Sequence, residues 1–153
     1  MIYRTHLAFG LLVGLFALPF SSINKFLFLG LVLLGSLLPD IDHENSKINN
    51  KLKFTKIIGH LFKHRGIFHT LLLAVLLPGL VWYFVGYGYG VALFAGYMSH
   101  LVIDGFTLAG INFLHPFANL RLMGFIETGT VAETLLFVVI LAFDIIKINL
   151  VFF

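Results

Sequence analysis

Gly96-Tyr97-Met98-Ser99-His100-Leu101-Val102-Ile103-Asp104 is the stretch whose reading decides how this chain folds. It lies inside an apolar run over residues 88–110, and its two ionisable side chains are four positions apart, so they share one face of a helix. A helix lying on a water-soluble core would carry a broad polar face. Here all but that one narrow face is apolar. The reading that fits is a helix solvated by lipid, with its His–Asp face turned to a protein interior, because an ionisable group at membrane depth is costly unless it is paired there.

Composition extends that reading to the whole chain. Of 153 residues, 59% are hydrophobic and 11% charged, with a mean hydropathy of +1.01. Soluble domains carry roughly 25% charged residues, so this chain has too few charges to cover a water-facing surface. The absence of cysteine excludes disulfides and thiolate metal sites. The net charge of +3 comes from basic residues that flank the apolar runs. Membrane topology and anionic headgroups account for them, and no nucleic-acid partner is expected.

Five apolar stretches, over residues 5–20, 24–39, 67–86, 88–110 and 130–152, predict an all-α polytopic membrane protein. The expectation is about five transmembrane helices in a single bundle, forming one integral membrane domain over 1–153. The first two stretches fall short of the roughly 20 apolar residues that a span needs, which implies tilt or local thinning of the bilayer. Pro19-Phe20-Ser21-Ser22 reads as a tight turn, Pro39 closes the second stretch, and Gly86-Tyr87-Gly88-Tyr89-Gly90 separates the third from the fourth. No small-x-small cleavage site follows the first stretch, so it reads as a retained helix. The long polar connection 40–66 holds Lys47, Lys51, Lys53, Lys56, Lys63 and Arg65, and alternation puts Arg4 and Arg121 on its side. Lys25 and Lys147 fall on the other. The N-terminus and the 40–66 loop are therefore expected in the cytoplasm. Residues 111–129 are too polar and broken to span and read as an interfacial or re-entrant connection.

Topology and ionisable residues together give a constellation. His6 opens the first span; Asp40, Asp42 and His43 close the second; His64, Arg65 and His69 open the third. His100 and Asp104 lie in the last third of the fourth, and Glu127 and Glu133 open the fifth. All of these fall at one membrane face. A structural hydrogen bond between His100 and Asp104, an anchoring acidic loop at Asp42-His43, and an ordinary interfacial arginine at Arg65 are the plainer readings of each group alone. Their gathering at one depth favours a metal site of imidazole and carboxylate. His60 reads as loop surface and His115 as a turn residue. Asp144 and Lys147 read as an i,i+3 ion pair near the outer interface.

Thr5-His6, Leu38-Pro39-Asp40-Ile41-Asp42-His43, His64-Arg65-Gly66-Ile67-Phe68-His69-Thr70 and Ser99-His100-Leu101-Val102-Ile103-Asp104-Gly105-Phe106-Thr107, followed by Gly110 and His115-Pro116-Phe117, resemble the YdjM family over about residues 4–135. Its members are described as LexA-binding proteins associated with the inner membrane of bacteria and archaea, and are expected to be metal-dependent hydrolases. The resemblance implies that His6, Asp40, Asp42, His64, His69, His100 and Asp104 are the positions that matter, in an integral protein of a prokaryotic inner or plasma membrane. It supplies no substrate. Thr70 stands where serine is common in the pattern, and it keeps the hydroxyl.

The expected chemistry is hydrolysis assisted by one or two divalent ions, Zn²⁺ first, with Mn²⁺ or Fe²⁺ suited to the same donors. A site at headgroup depth suits a membrane lipid or another phosphoester or ester. Arg65 would steady an anionic group, and an unligated carboxylate, Asp42 or Glu133, would move protons. Three rivals remain. A divalent-metal or proton transporter would use the same cluster, but the outer parts of the first four spans are almost wholly apolar. A metal-free phosphatase working through phospho-histidine, as in the type 2 phosphatidic acid phosphatases, would need an arginine that positions 92–99 lack. The third is a non-catalytic membrane regulator held together by His–Asp pairs.

Overall fold

A computed structural model describes residues 1–42 and 67–153. His43, His60, His64 and Arg65 lie outside the described residues. The chain is mainly helical, with α1 over Tyr3–Ala17, α2 over Lys25–Gly35, α3 over Leu71–Phe84, α4 over Tyr87–Gly105 and α5 over Val131–Phe152. Short 3-10 turns occupy Leu18–Phe20, Leu38–Asp42 and Ile67–His69.

Local chemistry explains most of the boundaries. Pro19 ends the α-helical path of α1 and opens the first 3-10 turn. Asn24 caps α2, its side-chain oxygen accepting from the Phe26 and Leu27 amides at 2.9 and 3.3 Å. Thr70 caps α3 through the Leu73 amide. Gly86, at φ +137°, reverses the chain between α3 and α4 in a conformation closed to other residues. Thr107 closes α4, donating to the Asp104 carbonyl at 2.7 Å and accepting from the Gly110 amide.

The helices are shorter than the apolar stretches that contain them. The second stretch, 24–39, yields the 11-residue α2, and the third, 67–86, yields the 14-residue α3. At 1.5 Å per residue these reach roughly 16 and 21 Å, against a hydrocarbon core of about 30 Å. The fourth stretch, 88–110, stops being helical at Gly105. Among the described residues, two helical segments are long and apolar enough to cross a membrane, Tyr3–Phe20 and Val131–Phe152, while Leu71–Phe84 is apolar but shorter. Residues 111–129, expected as an interfacial or re-entrant connection, contain a small antiparallel ladder pairing Ile111 with Leu122 and Asn112 with Arg121. A parallel bridge from Thr107 to Ile126 lies beneath it.

Packing sets α4 and α1 at the centre. α4 contacts α2, α3 and α1; α1 also contacts α2 and α5. Leu15, Leu18, Phe28, Val32 and Ala92 fill the far end of the bundle, and Ala74, Tyr97, Leu101 and Ile111 fill the gap between α3, α4 and the ladder. Outward faces are apolar as well: Phe16, Trp82, Val138, Val139, Phe143, Ile145 and Ile146 are all more than half exposed. Such a surface is unsuited to water and matches lipid.

The expected Asp144–Lys147 pair is not formed. Lys147 Nζ lies over the Phe16 ring, 3.9 Å from its centre, while Asp144 is buried with both carboxylate oxygens lacking a hydrogen-bond partner among the described residues. Spacing of three brings two side chains to neighbouring rows, but the inward row and the outward row meet different surroundings.

Candidate metal centre

Four elements converge where α4 ends. α1 brings His6, the turn after α2 brings Asp40, the turn before α3 brings His69, and α4 brings His100 and Asp104. His6, His69, His100 and Asp104 are each at most 2% exposed, and the Asp40 side chain is 29% exposed at the rim.

The orientation of His100 follows from a backbone contact. Its Nδ1 lies 2.8 Å from the Ser36 carbonyl oxygen, which only accepts, so Nδ1 carries the proton and Nε2 presents a lone pair. That lone pair faces His69 Nε2 at 3.4 Å, Asp40 Oδ1 at 3.7 Å and Asp104 Oδ2 at 3.7 Å. His69 Nε2 lies 3.6 Å from Asp40 Oδ1 and 3.8 Å from Asp104 Oδ2. These are five of the six distances among four donor atoms, and all fall between 3.4 and 3.8 Å. A tetrahedral zinc ion with bonds of roughly 2.0–2.2 Å separates its ligands by about 3.3–3.6 Å. Within each of the two trios these distances close, Asp40–His69–His100 and His69–His100–Asp104, the donors therefore stand close to the spacing of ligands on one such ion.

Charge agrees with that spacing. Two carboxylates and a bare imidazole nitrogen are all acceptors, and only positive charge among them makes their approach favourable. His69 Nδ1 and both ring nitrogens of His6 are buried without a hydrogen-bond partner among the described residues, although buried polar atoms are normally satisfied. Burial pushes the Asp40 carboxyl up. The His69 ring beside it, with His100 and His6 behind, more than offsets this and brings it down to about 2. Asp40 is thus ionised at neutral pH and ready to act as a donor.

Asp104 has a second side. Its Oδ1 accepts from the Met1 amino group at 2.7 Å and lies 3.4 Å from His6 Nε2. The His6 and His100 rings stack with centres 3.9 Å apart and planes 9° apart.

Of the sequence-derived candidates, His6, Asp40, His69, His100 and Asp104 are brought together. His64 and Arg65 lie outside the described residues, and for Asp42 only the backbone is described, at the end of the turn that carries Asp40. Glu133 joins a different network. Its Oε1 accepts from the Ile2 amide at 2.6 Å and the Thr5 hydroxyl at 2.9 Å, and its Oε2 accepts from the Gly129 amide at 2.7 Å. This clamps the start of α1 to the start of α5 and so holds His6 in place. Replacing Glu133 with Gln sets an amide N–H against at least one of these donors. Thermal unfolding is expected to show a loss of about 2 kcal/mol, with metal content retained. Abolished metal binding in a folded variant would contradict the anchoring role.

Two contributors carried no chemical signal in the sequence. The Ser36 carbonyl orients His100, and any residue there would supply an oxygen. Tyr97, fully buried, donates its hydroxyl to the Phe68 carbonyl at 2.6 Å and fixes the turn that presents His69. Its place on the face of α4 next to His100 was the available clue. Tyr97→Phe is expected to weaken metal binding roughly 10-fold, as loss of an outer partner does, with little change in helix content. Calorimetric titration of the metal-free protein checks this.

The family model described as YdjM inner membrane protein matches residues 1–152. The chain is 30% identical over 143 residues to the uncharacterized protein YvsG of Bacillus subtilis, covering 88% of this chain and 86% of that one. It is 36% identical over 91 residues to the inner membrane protein YdjM of Escherichia coli, covering 55% of this chain and 46% of that protein, and the Shigella flexneri protein of the same name matches equally. No solved structure matches. With the family model covering nearly its whole length, the chain belongs to the YdjM family of inner membrane proteins.

Proposed function

We propose that this protein is a membrane-embedded, metal-dependent hydrolase whose centre, held by Asp40, His69, His100 and Asp104, acts on a lipid or another phosphoester or ester at the cytoplasmic headgroup level. The observation that carries the proposal is that His69 Nε2 and His100 Nε2 lie 3.4 Å apart and each lies 3.6–3.8 Å from a carboxylate oxygen of both Asp40 and Asp104. A divalent ion bound there supplies Lewis acidity, polarising a phosphoryl or carbonyl group and making water nucleophilic near neutral pH.

The chain's own residues provide the rest. Ser36 fixes His100 in the tautomer that offers Nε2. The burial of His69, His100 and Asp104 restricts water, and Asp40 at the rim leaves one approach. The 40–66 connection begins at Asp40, so Asp42 and Arg65 remain its candidates for moving protons and steadying an anion. An apolar groove of about 350 Å³ begins two residues beyond His69, lined by Leu71, Leu72, Val75, Leu76, Phe113, Leu114, His115 and Phe117. That lining suits a hydrocarbon chain whose headgroup reaches the centre.

The same reading takes all five helices as spans, with α2 and α3 short and the bilayer thinned around them. The N-terminus then faces the cytoplasm by the positive-inside rule.

Detergent-purified protein, analysed for metals and then offered a panel of phospholipid, phosphodiester and carboxylic ester substrates, tests the proposal. Stoichiometric divalent metal, and hydrolysis of one class that a chelator abolishes, is the expected result. A folded protein without metal, or metal-loaded protein that hydrolyses none of the panel but carries the ion into vesicles, would overturn it.

A further inference from the structure

Beyond the four-donor centre, and resting on the reading of that centre as a metal site, we propose a second divalent-cation subsite between His6 Nε2 and Asp104 Oδ1, with the Asp104 carboxylate shared between the two.

Asp104 turns its two oxygens to different groups. Oδ2 faces His69 and His100 at 3.8 and 3.7 Å, whereas Oδ1 faces His6 at 3.4 Å. His6 is 1% exposed, and neither of its ring nitrogens has a hydrogen-bond partner among the described residues. A buried imidazole with both nitrogens idle is disfavoured; an ion at Nε2 would satisfy the nitrogen that points at the carboxylate. The 3.4 Å separation is that of two donors on one ion, longer than a hydrogen bond between the same atoms. The Met1 amino group donates to the same oxygen at 2.7 Å, so an ion at His6 would share Oδ1 with it. His6, His100 and Asp104 each offer an atom to one shared space, separately from the trio of Asp40, His69 and His100. His100 belongs to both groups but has one free nitrogen, since Nδ1 is committed to Ser36. It therefore serves one ion, and the other is left to His6 and Asp104, with water free to complete its coordination.

His6 is thereby distinguished from a structural histidine. It need not touch the first ion, yet its loss would remove the second. His6→Phe keeps a ring against His100, one atom larger than imidazole, and removes both nitrogens.

The test uses full-length protein in detergent, stripped with chelator and reloaded with Mn²⁺ alone. Bound metal is counted by mass spectrometry, and the paramagnetic resonance spectrum is recorded. Wild type is expected to bind two ions per chain with the spectrum of a spin-coupled pair. His6→Phe should bind one ion with the spectrum of an isolated ion. His69→Ala should also bind fewer than two, and Asp104→Ala none. Wild type that binds one ion, with His6→Phe unchanged from it, overturns the second subsite and leaves the first centre standing. Wild type that binds none overturns both, and circular dichroism confirms that each sample is folded before it is counted.

Discussion

Asp104→Asn is expected to reduce bound divalent metal to less than about a tenth of the wild-type content while leaving the helical spectrum intact. The substitution keeps the shape of the side chain and removes its charge. Two carboxylates, Asp40 and Asp104, would supply the negative charge that balances a divalent ion held between the two imidazoles. Asparagine halves that charge and aims an N–H at either the His69–His100 side or the His6 side, where lone pairs should meet a cation. Outer-partner losses cost roughly 10- to 100-fold in affinity, and a directly coordinating charge should cost more than that. Hydrolysis should fall with the metal rather than independently of it. The same change also leaves the buried Met1 amino group without its partner, so the metal-free variant should unfold at a lower temperature than metal-free wild type. Metal content equal to wild type in Asp104→Asn would remove Asp104 from the centre.

The legible part of this site was the part that costs most in a membrane. His100 and Asp104 stood out because nothing else polar shares their run, and His6, Asp40 and His69 because they sit at the same end of neighbouring apolar stretches. Sequence position gives depth along a helix, but it does not give the direction a side chain takes around the bundle. Glu133 illustrates the difference: it lies at the expected depth yet turns to Ile2, Thr5 and Gly129. Asp144 and Lys147 illustrate it again, as two residues on one helix that meet a buried interior and the Phe16 ring. The ladder at Ile111–Asn112 and Arg121–Leu122 was illegible because two-residue strands are too short for any alternation to register. The orienting role of Ser36 was hidden for a deeper reason: it is performed by a main-chain carbonyl, which every residue has.

That carbonyl makes helix packing a determinant of the metal centre, and Gly96→Ala should reveal it. α2 and α4 cross in near-backbone contact, where a Cβ at Gly96 would run into the Val32 carbonyl oxygen and stand 2.9 Å from the Ser36 amide. On the facing helix, a Cβ at Gly35 would stand 2.8 Å from the Leu93 carbonyl oxygen. None of these obstacles is a flexible side chain, so α2 must shift as a body to admit one methyl group. Overpacking of this kind costs about 3 kcal/mol, well beyond the helix-propensity gain of about 1 kcal/mol from replacing glycine. The shift also carries Ser36 away from His100 Nδ1, whose 2.8 Å contact selects the tautomer that presents Nε2. Gly96→Ala should therefore lose both thermal stability and metal affinity. Gly30→Ala, in the same α2 but with nothing within 4 Å of the added Cβ, should lose neither and gain slightly in stability. Thermal unfolding and metal titration of the two variants side by side make the comparison. Equal behaviour of the two would mean that the α2–α4 approach does not set the geometry of the centre.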